Sequence, residues 1–368
     1  MIYIGTFAIS GLFAYCAEKS KKKNKAFLLS LVAVLIPSLV AGLRSTSIGT
    51  DIGYYVIDNF EVAVVSSSFL EYVKVVYAKE PLYLLLVYAV AKTVGNIQWL
   101  LFLLGMITIG GIYLGTWKLR RYCSVPMVML IYYFLYYNDS LNMVRQHMAM
   151  AILFAGMYVL FSGNYKKYCI YIIVASAIHT IAIIGISFIA IHWFVCGKRI
   201  EKKKEVVQLR TILLVVLAII AVFGIEWIVT AFVKLGLLDT RYLLYFQGKE
   251  GSNHNVDTLI YAMELIFLFR YNQSFEKKIF EYEYLRLNAI LNIIFLQLAR
   301  FMSYGHRISL YFGVINILLI GQFPKQIKKT NNRFLIICGV LVLLFFLYWM
   351  YMYCISGVSE TYPYELFR

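Results

Sequence analysis

Arginine, histidine and aspartate recur in this chain at the ends of apolar runs, where each is costly to place and able to do chemistry. Arg44 and Asp51 fall in GLRSTSIGTD, residues 42–51. Asn142, Arg145 and Gln146 open a later apolar run at spacings of three and four, which predicts one shared helix face. His179 closes the following run, and Arg241 lies in a polar interval. Arg300 ends a run that also carries Asn288 and Asn292, and Arg307 opens the next. An ionisable group at membrane depth costs about 2.5–3.5 kcal/mol on insertion scales, so it is kept for a purpose. Guanidinium forks match phosphate oxygens two at a time. Several of them in a cleft open to lipid point to a lipid-linked phosphate or diphosphate, whose departing charge fixed cations stabilise. An acceptor hydroxyl then needs a base. Histidine titrates near neutral pH, which makes His179 the first choice and Asp51 the second.

Each of these residues also has a plainer reading. Arg44 can snorkel to headgroups. His179 can be a helix-end hydrogen bonder, Asp51 a turn residue after Gly49, and Glu264 the buried partner of an arginine. Asn288 and Asn292 read as hydrogen bonders between helices. The functional reading rests on convergence, because arginines, a histidine and a carboxylate are all expected on one side of the membrane.

The elements that must position them are transmembrane helices. The chain has 368 residues, 61% hydrophobic, 17% aromatic and 15% charged. A soluble domain carries about 25% charged residues. The apolar residues form runs that approach the ~20 residues a spanning helix needs, and the runs lack the alternation of barrel strands. The expected fold is an all-α polytopic membrane protein with about 12–14 transmembrane helices. No Gly/Ser- or Pro-rich linker divides the chain, so 1–368 reads as one integral membrane domain, with polar loops at 44–80 and 237–256. The 44–80 loop has the pattern of a short amphipathic helix at the interface. The N-terminal run lacks a basic leader and a cleavage site and reads as a retained helix.

The net charge of +16 sits in short clusters between apolar runs, at Lys19–Lys25, Lys118–Arg121, Lys166–Lys167, Lys198–Lys204, Lys277–Lys278 and Lys325–Lys329. That is a topology signal rather than a nucleic-acid footprint, and it makes these clusters cytoplasmic. Alternation then puts His179, the 237–256 loop and the C-terminal tail outside. Between the first two clusters lie three apolar segments, so one of them does not span; 81–95 is the shortest. The cysteines lack zinc or disulfide spacing, and no phosphate-binding glycine loop appears. Chemistry without metal or cofactor is expected.

The motifs GLRSTSIGTDIGYY (42–55), EPLYLLL (80–86), NMVRQHMAMAI (142–152), ASAIHT (175–180), RYLLYF (241–246), RISLYF (307–312) and YPY (362–364) occur in order along the chain. In these it resembles the EpsG family, multi-span proteins of bacterial polysaccharide gene clusters related to the Wzy polymerases. The resemblance implies a GT-C-like architecture in the plasma membrane, with a site facing outside or the periplasm. It implies a glycosyltransferase that joins undecaprenyl-diphosphate-linked oligosaccharide repeat units into exopolysaccharide, capsule or O-antigen. Carried over by residue, it marks Arg44, Asp51, Arg145, His179, Arg241 and Arg307; Arg300 fits the helix reading better than any family motif. His147 stands where the family usually has a small or apolar residue, so the base stays open among His179, Asp51 and His147. The expected reaction is inverting transfer, with Arg145, Arg300 and Arg307 on the donor diphosphate, Arg44 and the 44–80 loop helping to close over the acceptor, and Gln146 and Arg241 among the residues that bind the lipid diphosphate and glycan. Involvement of a chain-length regulator is left open. A flippase for lipid-linked oligosaccharide and an O-antigen-type ligase are the competing readings.

Overall fold

The structure is a computed structural model and describes residues 1–76, 79–196, 204–236, 240–246, 254–275, 280–326 and 332–367. Of the basic clusters named above, 198–203, 277–278 and 327–329 lie outside these residues, as do 237–239 and 247–253 of the second loop. Among the described residues the fold is all-helical, with no strand beyond one isolated bridge between Arg44 and Leu366. Helices satisfy their own backbone in lipid, which is why long apolar runs fold this way.

Among the described residues six helices are long and apolar enough to cross a membrane: Lys23–Leu43, Ile97–Lys118, Val144–Phe161, Glu205–Phe223, His306–Lys325 and Cys338–Ile355. Other apolar segments form shorter helices, among them Pro81–Thr93 and Tyr165–Ser176. Pro81–Thr93 has 13 residues and a length of about 20 Å, short of a ~30 Å hydrocarbon core. It is the segment whose span the charge pattern questioned. The 44–80 loop folds into a π-helical Ile52–Ile57 and helices Asp58–Val65 and Phe69–Val75. Ser68 caps the last of these, accepting from Glu71 N–H, while Glu71 reaches back to Ser67 N–H at 2.7 Å.

Contacts group the chain into two compact units, Met1–Ile186 with Gly321–Arg368, and Ser187–Ile320. In the first unit Ile2–Lys19 packs on Lys23–Leu43, which packs on Ile97–Lys118, which packs on Val144–Ala155. Pro37 lies inside Lys23–Leu43 and lacks an N–H, so the carbonyl of Ala33 loses its helical donor. Ser10 Oγ supplies one from the neighbouring helix at 2.6 Å and is itself 2.7 Å from Tyr133 Oη. Tyr137 Oη donates to the Pro37 carbonyl at 2.6 Å.

Small residues let the backbones approach. A Cβ at Gly111 would lie 2.8 Å from Ala151 O, and one at Gly115 would lie 2.6 Å from Phe154 O. The two glycines are four apart and face the Val144–Ala155 helix together.

The C-terminal tail ties this bundle end shut. Ser45 N–H donates to Glu365 O at 2.8 Å and Phe367 N–H to Leu43 O at 2.9 Å. Tyr364 Oη donates to Val40 O, Tyr3 Oη to Thr361 O, and Ser359 Oγ to Asp139. Asn138 is 0% exposed and joins two elements, accepting from Trp349 Nε1 and donating to Thr361 Oγ1. At the other end of the same helices Glu18, Lys19, Lys118, Arg120, Arg121 and Lys325 line one cleft.

In the second unit Tyr282–Leu296 packs against Lys204–Phe223 and Asn255–Phe275. Asn288 Nδ2 donates to Phe312 O and Asn316 Oδ1, both at 2.7 Å, the bonding between helices expected of it. Asn292, expected to act likewise, is 0% exposed and its amide has no hydrogen bond among the described residues. The Glu205–Phe223 helix is only 17% buried, and its outward face is Leu209, Ile212, Leu213, Leu217 and Ile220.

Gly115→Val should part the Ile97–Lys118 and Val144–Ala155 helices and destabilise the detergent-solubilised protein by about 1–3 kcal/mol. Gly5→Ala should be neutral, since nothing lies within 4 Å of the added carbon. Thermal unfolding of the two variants beside the native protein is the check.

Candidate functional site

The motif around Arg145 is a broken helix. Asn138–Asn142 ends at Met143, whose φ −84° and ψ 56° are not helical, and Val144–Ala155 starts anew. The shared face expected for Asn142, Arg145 and Gln146 is therefore not formed, because the break redirects the chain between Asn142 and Arg145. Asn142 turns to the 44–51 segment instead, its Oδ1 accepting from Asp51 N–H at 2.7 Å and Thr50 Oγ1 at 3.2 Å. Gly49 permits this approach: its φ is +95°, and a Cβ would meet Leu141 O at 3.0 Å. Asp51 is half-buried, held by its backbone.

Arg145 is half-buried and pairs with Glu80 at 3.0 Å, the side chains being 24% and 13% exposed. Its guanidinium carbon sits 5.3 Å from the Tyr83 ring and 5.5 Å from that of Tyr55. The second Glu80 oxygen accepts from Thr180 Oγ1 at 3.4 Å, beside His179. Leu82 N–H donates to Ala177 O at 2.9 Å and pins the start of Pro81–Thr93 to that turn. His179 is half-buried, extended in backbone (φ −149°) at the start of the 3-10 turn Thr180–Ile184. Three motifs distant in sequence thus meet at Glu80. In the sequence Glu80 is only the first residue of EPLYLLL; a carboxylate directly before an apolar run is the signal it carries.

Other expected residues lie elsewhere. Arg44 does not snorkel. It is 1% exposed and donates from Nη1 to Ala41 O and from Nη2 to Leu141 O at 2.9 Å. Burial pushes its pKa down to about 10, which leaves it cationic at neutral pH, with Tyr137, Tyr3 and Tyr364 around it. It holds two chain segments together rather than meeting solvent or lipid. Gln146 and His147 are 2% and 1% exposed, and the His147 ring lies 6.5 Å from that of Tyr136. Of the histidines proposed as base in this unit, His179 has the greater exposure.

The second unit holds its own cluster. Ser303 N–H donates to Tyr245 O at 2.9 Å, which joins the RYLLYF element to the 303–307 turn. Arg241 opens the short helix Arg241–Leu244, and its side chain lies outside the described residues. Arg300 is exposed at the end of a 3-10 turn, Gln297–Arg300, that follows the helix carrying Asn288 and Asn292. Arg307 stacks 4.5 Å over the Tyr304 ring. Beside it the His306 ring lies 4.5 Å from the His254 ring, and His254 Nδ1 is 2.7 Å from Asp257 Oδ2. A carboxylate on one ring nitrogen orients the other for proton transfer. This pair was missed in the sequence because His254 sits in a polar loop without a flanking motif. Glu264, expected to pair with an arginine, is 9% exposed, and its Oε1 has no partner among the described residues.

Fold and clusters define a helical multi-pass membrane protein with arginine-bearing polar sites. The EpsG family model matches residues 4–366, and the chain belongs to that family. Membership supports a general role in polysaccharide polymerisation. No curated protein and no solved structure matches the chain.

Glu80→Gln and Arg145→Ala should each destabilise the protein, and the double variant should lose less than their sum. The expected coupling is about 1–2 kcal/mol, read from denaturation in detergent as a double-mutant cycle. Additive losses would mean that the pair contributes nothing as a pair.

Proposed function

We propose that this protein is a polymerase that joins undecaprenyl-diphosphate-linked oligosaccharide repeat units into exopolysaccharide, capsule or O-antigen. The observation that carries the reading is the Arg145–Glu80 pair set between Tyr55 and Tyr83 and joined through Thr180 to the His179 turn, in a chain of the EpsG family. One fork of Arg145 is engaged by Glu80, and its remaining N–H groups are free to meet phosphate oxygens. The aromatic rings beside it offer flat apolar faces of the kind that pack on sugar rings.

In the reaction the acceptor hydroxyl attacks the anomeric carbon of the donor. The bond from that carbon to the diphosphate oxygen breaks, and lipid diphosphate leaves with its charge stabilised by Arg145. His179 takes the hydroxyl proton, with Asp51 as the second candidate. Configuration at the anomeric carbon inverts. Glu80 positions Arg145, while Arg44 and Asn142 hold the segment that carries Asp51 and so position it in turn. The site faces the outside of a bacterial plasma membrane. The support is charge segregation in the first unit, where the basic cleft at Lys19 and Lys118 lies at the far end of helices some 30 Å long.

A deletion strain should show single repeat units on a glycan gel, and the native gene should restore the ladder. Arg145→Ala and His179→Ala genes, expressed to equal level, should restore it at least tenfold less well. If both restore the full ladder, the site assignment is wrong. If the deletion instead leaves lipid-linked units on the cytoplasmic leaflet, the protein is a flippase.

A further inference from the structure

Within the second unit, His192, Cys196 and Glu281 bring one ligand atom each to within 4.8 Å of one another. His192 and Cys196 stand four apart on the Gly185–Cys196 helix and so share a face. Glu281 reaches them from the position before the Tyr282–Leu296 helix. We propose that these three side chains bind a divalent transition metal, zinc by its chemistry, with water in the fourth position.

The geometry suits that ion. His192 Nε2 lies 3.4 Å from Glu281 Oε2, long for a hydrogen bond between them. Two such ligands on a tetrahedral zinc, each about 2.0–2.1 Å from the metal, stand about 3.3 Å apart. The donor set is nitrogen, sulfur and oxygen, which a borderline-soft cation accepts and magnesium or calcium does not. Charge balances as well. On binding, Cys196 releases its proton to solvent, and one thiolate and one carboxylate neutralise the dication. His192 is 3% exposed and the Glu281 side chain 18%, so a neutral assembly is what this place tolerates.

The backbone is a separate observation. Glu281 has φ 53° and ψ 38°, a left-handed conformation that side chains other than glycine rarely take. Such outliers persist where surroundings over-determine them, and they cluster at ligand sites. Here the turn aims the carboxylate at the His192–Cys196 face.

The site is not part of the transfer chemistry. Tyr282–Leu296 has 15 residues, a length of about 22 Å, and Glu281 stands at its start while Arg300 and Arg307 follow its end. The metal clips the Gly185–Cys196 helix to the Tyr282–Leu296 helix.

The test is metal binding by the purified full-length protein in detergent, stripped with chelator under reducing conditions and titrated with cobalt(II). Native protein should bind one cobalt with a thiolate-to-cobalt charge-transfer band, and zinc should displace it. Cys196→Ser, which keeps the volume of the side chain, should abolish the band. Glu281→Gln and His192→Ala should weaken binding by at least about tenfold. Absence of stoichiometric binding by native protein, or a band that survives Cys196→Ser, overturns the proposal; the other cysteines then account for any metal bound. The readout is binding, so it fails or succeeds independently of the polymerase assay.

Discussion

Lipid leaves no water to satisfy a stray backbone group, and at two interruptions of the Lys23–Leu43 helix of the first unit a side chain takes up the carbonyl left without a helical donor. Pro37 frees the carbonyl of Ala33, and Ser10 donates to it. The helix ending at Leu43 gives way to Arg44, whose guanidinium reaches back to Ala41 and across to Leu141. Loss of either carbonyl partner would leave a buried cation short of acceptors, a costly state in a low-dielectric interior. The Arg44 side chain therefore ties these two segments together at the end of the bundle that the C-terminal tail also closes.

The polar site grows out of another break. Helix cannot continue through Met143, so Asn142 is left pointing at the 44–51 turn while Arg145 starts a new helix. A conformation that allowed one unbroken helix would bring Asn142 and Arg145 to one face and leave Asp51 without its anchor. The C-terminal tail closes the arrangement from outside the helices, through Ser45, Gly49 and Asn138. Disruption at a buried tyrosine or asparagine far from Arg145 is thus able to disturb the site without touching it.

The second unit shows a different economy. Two of its arginines flank one tight turn: Arg300 ends a 3-10 extension, and Arg307 lies in the first turn of the next helix, three residues after Tyr304, which holds a φ of 61°. Gly305 is needed between them because a Cβ there would lie 2.5 Å from Leu298 O. A tight turn of this kind presents guanidinium groups without a long side-chain search, and the stacking of Arg307 on Tyr304 restrains it further.

Local chemistry was enough to determine that the chain is an all-helical membrane protein, and it marked the arginines that the structure then sorts into buried and accessible ones. Those properties depend on composition and period, which read directly from consecutive residues. Family motifs marked the Arg145, His179 and Glu80 segments, though not that they touch. Partnership was decided by tertiary structure alone. Arg145 meets Glu80 across 65 positions, His254 meets His306 across the Asn255–Phe275 and Tyr282–Leu296 helices, and Glu281 meets His192 from a different element. Arg44 and Gln146 look like binding residues in one dimension and prove to be interior, because burial is a property of packing between helices. No period or spacing encodes where a neighbouring helix will lie, so the fate of each cost-bearing side chain was settled only when the bundle closed around it.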